Sequence, residues 1–437
     1  MRADAGPKGR HAAYATRAIA FALIHGVMAR GRALDEAFEA AMTRNTLEPR
    51  DRAFVRRLAT GTVRHFGQCE VAIARLLDKK PLRPRDTALR CLFAMAACEL
   101  LFLETPPHAA IDGAVASARA RPDLARHAGL LNAVLRRLAR EGAGLLPATL
   151  NLPAWLRTRW LEAYGDETLS AIADAQMRDP PLDLTVKGDV ETWAQTLGAT
   201  ILPTGTLRRT LSGRIEDLPG YRDGAWWVQD AAAALPPRLL DARSGEAVLD
   251  LCAAPGGKTA FLCAQGATVT ALDKDGTRLA RLGENLARLN LEAEIIAADL
   301  LEWSPPRLYD KILLDAPCSA TGTIRRHPDM PYLKDAGDLG PLSALQAAML
   351  EAAARALAPG GTLVYAVCSM EREEGADRID EFLARHSDFA RRPVVACELA
   401  VDPVFLTPDG DLRTRPDLWP DQGGLDGFFA ARLIRLP

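Results

Sequence analysis

The segment Ala247-Val-Leu-Asp-Leu-Cys-Ala-Ala-Pro-Gly-Gly-Lys-Thr259 constrains this chain more than any other. A run with the character of a buried strand, 247–251, enters a turn of small residues at Ala253–Gly257, and a helix begins at Gly257. Small side chains let backbone N–H groups approach a ligand at the positive end of a helix. The pattern continues through the C-terminal half. Strands are expected at 268–272, 294–297, 311–314, 362–367 and 428–434. Helices are expected from Gly257, up to Asn290, and over 342–357 and 371–385. Strands alternating with helices imply a mostly parallel sheet covered on both faces.

Four readings compete for the turn. Gly257-Lys258-Thr259 resembles the end of a P-loop, but the first glycine of that motif would fall at Cys252. A dinucleotide fingerprint, G-x-G-x-x-G, is absent from Ala253–Lys258. A plain strand–helix turn would not require carboxylates on the neighbouring strand ends. S-adenosylmethionine fits best, because it needs a close turn for its amino-acid end and a carboxylate for its ribose. Asp273, closing the next strand, is placed to accept from ribose hydroxyls, and Asp299, closing the third, to meet an adenine edge.

Upstream the pattern is different. Residues 8–141 read as all-helix, with segments near 11–28, 34–42, 50–77, 85–103, 109–119 and 124–140. Breaks are expected at Pro81, Pro84, Pro106, Pro107 and Pro122, and a stop at Glu141–Gly144. Short connections and apolar stripes suggest a bundle. Residues 150–225 read as a small α+β segment. It has a helix from Pro153 to Tyr164, another to Met177, strands at 182–186 and 207–211, and a helix near 191–197.

Charge divides along the same line. Residues 1–145 carry 24 Lys and Arg against 14 Asp and Glu, a net of +10, which leaves −12 on the remaining 292 residues. A basic module on an acidic body points to a polyanionic partner, although arginine is used throughout this chain and arginine-rich faces are often only solvated. No run of about 18 apolar residues exists, so no membrane span is expected. Ala18–Ile24, bracketed by Arg17 and His25, reads as one face of a helix and not as a signal peptide.

Eight cysteines are scattered without a C-x-x-C pair, so neither a metal site nor a disulfide framework is expected, and a cytoplasmic setting is the default. Cys69, Cys91, Cys98, Cys263 and Cys397 read as inert core residues, and Cys252 as packing beside the turn. Cys318, in Asp315-Ala-Pro-Cys-Ser319, and Cys368, in Tyr365-Ala-Val-Cys-Ser369, are different. Each follows a strand end, where the ligand crevice of an open α/β sheet lies. Two cysteines beside a methyl sulfonium suggest attack on C6 of a pyrimidine, which makes C5 nucleophilic enough to take a methyl group. Either cysteine can be the nucleophile on this reading. Asp315 is placed to bond the pyrimidine N3/N4 edge, and Lys258 to orient the base or lower a thiol pKa. Arg325-Arg-His-Pro-Asp329 offers either a phosphate grip or a solvated loop.

Together, Cys252–Lys258, Asp315–Ser319 with Thr321-Gly322, Tyr365–Ser369 and Asp426-Gly-Phe-Phe429 resemble the Sun/Nop2-type RNA cytosine-C5 methyltransferase family. Pro107-His-Ala-Ala-Ile-Asp112 and Asn132-Ala-Val-Leu-Arg-Arg137 resemble the NusB-like RNA-binding bundle. The resemblance implies three parts: an all-α NusB-like domain at 8–143, an α+β linker at 150–225, and an α/β Rossmann-like S-adenosylmethionine-dependent methyltransferase domain at 226–437. It makes Cys368 the nucleophile and gives Cys318 to product release. It assigns the cofactor to Cys252, Ala253, Ala254, Pro255, Gly256, Gly257, Lys258, Asp273, Asp299 and Asp315. The fusion implies 16S ribosomal RNA as substrate, with transfer RNA the runner-up; the alternative is a non-catalytic RNA-binding or antitermination protein that uses the bundle alone, against which Cys318, Cys368, Lys258 and Asp315 argue. A monomer is expected, with neither DNA nor membrane as partner. Val367 stands where the family often has Thr. The target cytosine must leave its stack to reach a strand end, which favours a single-stranded or loop target.

Overall fold

The computed structural model describes residues 7–77, 82–210 and 213–437, with side chains from Tyr14 onward. The expected break at Pro81 and the expected strand end at Leu211 lie outside those residues. The chain forms two compact units, 1–178 with 326–336, and 179–325 with 337–437.

The first unit is helical. Its helices are Pro7–Arg30, Leu34–Arg44, Pro49–Arg64, Phe66–Leu76, Thr87–Leu101, Pro107–Arg119, Ala128–Glu141 and Ala154–Gln176. Pro49 and Pro107 sit in the first turns of their helices, where a missing N–H costs nothing, and Gly142 ends its helix with φ 71°. Thr87–Leu101 is the central helix. Every residue from Cys91 to Glu99 is buried, which matches its nearly unbroken apolar sequence. Glu99, at 0% exposure, is paired with Arg17 at 2.6 Å.

The helix expected over 50–77 is two helices. They part at His65, which leaves helical geometry (φ −101°, ψ 17°) while its ring stacks on Phe102 at 3.9 Å. The two helices expected between Pro153 and Met177 meet at a kink, where Gly165 takes φ 78°. Residues 326–336 also belong to this unit. Asp329 accepts from the Leu34 backbone N–H at 2.7 Å, Tyr332 meets the Phe66 ring edge-on, and Leu333 packs against the helical core.

The second unit holds two sheets. β1 (Leu182–Val186), β2 (Thr200–Ile201), β3 (Leu207–Arg209) and β4 (Trp226–Val228) form an antiparallel sheet in the order β2-β3-β1-β4. The helix Val190–Leu197 packs its Ala194 and Leu197 with Leu184, Leu207 and Trp226. The helix Ala154–Gln176 of the 150–225 segment therefore lies in the first unit, and its strands and the helix Val190–Leu197 in the second.

The larger sheet contains β5 (Ala247–Leu251), β6 (Thr268–Asp273), β7 (Glu294–Ala297), β8 (Tyr309–Asp315), β9 (Leu357–Val367), β10 (Phe389–Arg391), β11 (Leu412–Arg413) and β12 (Phe429–Arg435). Its order is β10-β12-β9-β8-β5-β6-β7, with β11 on β12. β7 to β9 run parallel, and β12 is antiparallel to β9. Leu249, Leu251, Ile312, Leu314, Leu363 and Tyr365 face one apolar layer, while Val248, Leu313, Val364 and Ala366 face the other. Burial on both faces explains why these strands read as continuous apolar runs. The strand order reverses at β5, so a crevice is expected beyond the C-terminal ends of β5, β6 and β8. The helix expected from 371 begins at Ala376, because Glu371 and Glu374 are turned inward.

Candidate active site

β5 ends at Leu251 and the chain turns at once. Cys252 takes φ 58° and Gly256 φ 102°, a value that side chains strongly disfavour, before the helix Gly257–Ala264 starts. The turn is held from outside. Ala253 N–H donates to the Leu272 carbonyl, Ala254 N–H donates to Asp273 Oδ2 at 3.1 Å, and Asn285 donates to the Pro255 carbonyl. Arg278 donates to the Ala254 carbonyl. Asp273 closes β6 at 4% exposure, and its Oδ1 accepts from Asp275 N–H. Asp299 stands two residues beyond the end of β7, not on its last residue, and Oδ1 accepts from Leu301 N–H. Cys252 packs into the sheet core, and burial pushes its thiol up to about 12.

Beneath the turn lies Asp250, fully buried. Burial raises its carboxyl to about 7 despite the hydroxyl of Thr259, which donates to it at 2.6 Å. Lys258 reaches across to Asp315 at the end of β8, Nζ to Oδ2 2.7 Å, with the two side chains 11% and 30% exposed. Burial pulls the Lys258 ammonium down, but the charge and hydrogen bond of Asp315 outweigh it, and the ammonium is held above its ordinary value. The same ammonium lies over the Phe428 ring. Lys258 is thus a paired charge and not a solvated one.

Cys318 and Cys368 meet, their sulfurs 3.5 Å apart. The Cys368 partner and burial raise the Cys318 thiol well above its ordinary value. The flanking motifs lock together as well. Gly322 N–H donates to the Cys368 carbonyl and Gly427 N–H to the Gly322 carbonyl. A Cβ on Gly322 would lie 1.9 Å from the Gly427 oxygen, so no other residue fits there. Thr321-Gly322, Tyr365–Ser369 and Asp426–Phe429, far apart in sequence, therefore share one corner of the fold.

Two expectations are corrected. Arg325 neither grips phosphate nor faces solvent. It is 1% exposed and bonds Asp426 at 2.8 Å and Asp230 at 3.2 Å, because a guanidinium leaving water must find carboxylates. Cys397 is exposed, not core. Cys69, Cys91 and Cys98 are buried, and Cys263 is half-buried and bonded to the Glu292 carbonyl.

With this geometry in view, the known proteins are informative. Residues 237–434 match the family model described as 16S rRNA methyltransferase RsmB/F, and residues 14–140 match the NusB family. The ribosomal RNA small subunit methyltransferase B of Serratia proteamaculans is 37% identical, over 97% of this chain and 99% of that protein. The chain belongs to the ribosomal RNA small subunit methyltransferase B family. The member from Xylella fastidiosa (strain Temecula1) is also 37% identical, over 96% of this chain and 98% of that protein. Among solved structures, PH0851 superimposes with a TM-score of 0.74 at 25% identity, covering 96% of this chain and 98% of that one. A methyltransferase homologue from Pyrococcus horikoshii superimposes at 0.54 with 27% identity, covering 69% of this chain and 98% of that one. The methyl donor of this RNA methyltransferase family is S-adenosylmethionine. The small-residue turn, the Asp273 carboxylate and the strand ends beyond it suit that donor's amino-acid end and ribose.

Sequence reasoning missed the polar support beneath the two cysteines. Ser319 and Ser369, each directly after a cysteine, converge on Glu374, and Gln346 joins them. The repeated Cys-Ser dipeptide was the only trace of this in the sequence.

Proposed function

We propose that this chain methylates C5 of a cytosine in 16S ribosomal RNA through a covalent bond between Cys368 and C6 of the base. The observation that carries the reading is the meeting of two thiols at the ends of β8 and β9, beside the Lys258–Asp315 pair. S-adenosylmethionine, held by the 252–258 turn and Asp273, Asp299 and Asp315, supplies a methyl group on a sulfonium.

The protein's own groups do the rest. Cys368, as thiolate, bonds to C6 and turns C5 into an enamine-like carbon that takes the methyl. The proton on C5 then leaves to a base, the C6–S bond breaks, and the C5=C6 double bond and thiolate are restored. Cys318, its sulfur 3.5 Å from that of Cys368, assists this release. Asp315 uses Oδ2 for Lys258, and among the described residues its Oδ1 accepts no hydrogen bond, so it is available to the N3/N4 edge of the base. The basic helical part, 8–143, anchors RNA, with 150–225 linking it to the catalytic part, 226–437. The protein acts as a monomer in the cytoplasm.

Bisulfite sequencing of ribosomal and transfer RNA from a deletion strain tests this. One 16S cytosine should lose its 5-methyl group and regain it on complementation. Loss at a transfer RNA position, with 16S unchanged, would move the substrate. No change in either would remove the proposal.

A further inference from the structure

The polar cluster under the two cysteines is not explained by methyl transfer alone. Glu374, in the turn after β9, is 0% exposed, as are Ser319, Ser369 and Gln346. Glu374 Oε1 accepts from Ser319 N–H at 2.8 Å and from Gln346 Nε2 at 3.0 Å. Oε2 accepts from the Ser319 hydroxyl and from the Ser369 hydroxyl. The Glu374 backbone carbonyl accepts from Tyr365 OH at 2.6 Å, which fixes the turn to β9 itself. Gln346 also donates to the Pro317 carbonyl, on the other side of Cys318. One carboxylate therefore grips the residue after each cysteine and, through Gln346, the residue before Cys318.

We propose that Glu374 is a positioning residue for the two-cysteine reaction: its carboxylate fixes the loops that carry Cys318 and Cys368 so that the sulfurs face each other, and its negative charge bears on Cys318. The proposal rests on the reading that these cysteines carry the chemistry. The geometry requires such a group. Cys318 and Cys368 leave neighbouring parallel strands on separate loops, and loops are not held in register by the sheet. A buried carboxylate with four donors is a rigid tie, because each lost donor would leave a buried polar group unpaired.

The charge acts on Cys318. The groups bearing on it are Cys368 just past β9, Tyr365 of β9 and Glu374 from the turn, with Lys258 beyond Cys368. Glu374 adds to the rise of the Cys318 thiol already caused by Cys368 and burial. Removing that charge while keeping the shape lowers the thiol's hold on its proton, so more thiolate is present at any given pH.

The test uses the full chain with Glu374→Gln and Glu374→Ala. Alkylation of Cys318 by iodoacetamide is followed across pH by peptide mass spectrometry. A short bifunctional alkylator reads whether the two thiols are adjacent, and S-adenosylmethionine binding checks the fold. In Glu374→Gln the Cys318 profile should move to lower pH, with alkylation roughly threefold or more faster at neutral pH, and the thiol–thiol cross-link should persist. In Glu374→Ala the cross-link should fall sharply while cofactor binding remains. A merely structural residue would not move the pH profile of the isosteric variant. An unchanged Cys318 profile in Glu374→Gln overturns the proposal, whether or not Glu374→Ala folds. Failure of the underlying cysteine reading shows separately, as no RNA adduct in Cys318→Ala with Glu374 intact.

Discussion

Both units bury an apolar core, but they differ in the charges they enclose with it. The helical unit fills its centre with Leu58, Phe66, Leu92, Phe93, Leu131, Leu135 and Leu138, with the Arg17–Glu99 pair inserted among them. The second unit buries Asp183, Asp230, Asp250, Glu374 and Asp426 around its sheet ends, tied to Arg208, Arg325, Thr259 and serines. An apolar core tolerates repacking, whereas a carboxylate taken out of water must keep its partners. Stability in the first unit is therefore spread over many contacts. In the second, buried carboxylates with fixed partners are added to the apolar layers of the sheet and bear on the candidate site as well as on the fold.

Substitution should expose that contrast. Arg325→Met leaves Asp230 and Asp426 buried without this guanidinium and should destabilise by about 3–5 kcal/mol. It should also weaken methyl transfer, because Arg325 ends the stretch that begins at Cys318. Leu135→Ala in the bundle should cost a similar about 2–5 kcal/mol yet leave S-adenosylmethionine affinity unchanged. Denaturant unfolding with calorimetric cofactor titration checks both. Methyl transfer unchanged in folded Arg325→Met, or cofactor affinity lost in Leu135→Ala, would erase the distinction.

A smaller effect sharpens it. Asp273 holds the Ala254 and Asp275 N–H groups as well as facing the crevice. Asp273→Ala should weaken S-adenosylmethionine binding by about 1.5–3 kcal/mol, or roughly 10- to 150-fold. Asp273→Asn keeps an acceptor for the turn and should lose less. Unchanged calorimetric affinity in Asp273→Ala would take this residue out of the site.

The same contrast governs what could be read from the sequence. Hydrophobic period located the bundle helices and all but the two shortest strands of the larger sheet, β10 and β11, because each buries a regular stripe or face. It missed the break at His65, where the ring stacks on Phe102, and two short strands, β2 and β4, the latter pairing with β1 some 40 residues earlier. Cys318, Cys368, Lys258 and Asp315, which the structure brings together in two pairs, could be picked out because each lies at or just beyond a strand end or a helix start. Arg325 and Glu374 were not. Nothing local distinguishes a buried arginine or glutamate from a solvated one, since their partners come from residues up to 101 positions away. Residues 326–336 add a related case: a stretch following the Cys318 loop packs in the helical unit, by way of Tyr332 and Leu333.

Whether the facing thiols divide one covalent reaction can be read from a single denaturing gel with labelled 16S RNA fragments. Cys318→Ala should still attack and methylate but stall at release, giving a protein–RNA adduct that survives denaturation and depends on S-adenosylmethionine. Cys368→Ala should give no adduct and no methylated RNA. An adduct in Cys368→Ala with none in Cys318→Ala would reverse the two roles, and methylation by Cys368→Ala at the wild-type rate would contradict covalent catalysis by this pair.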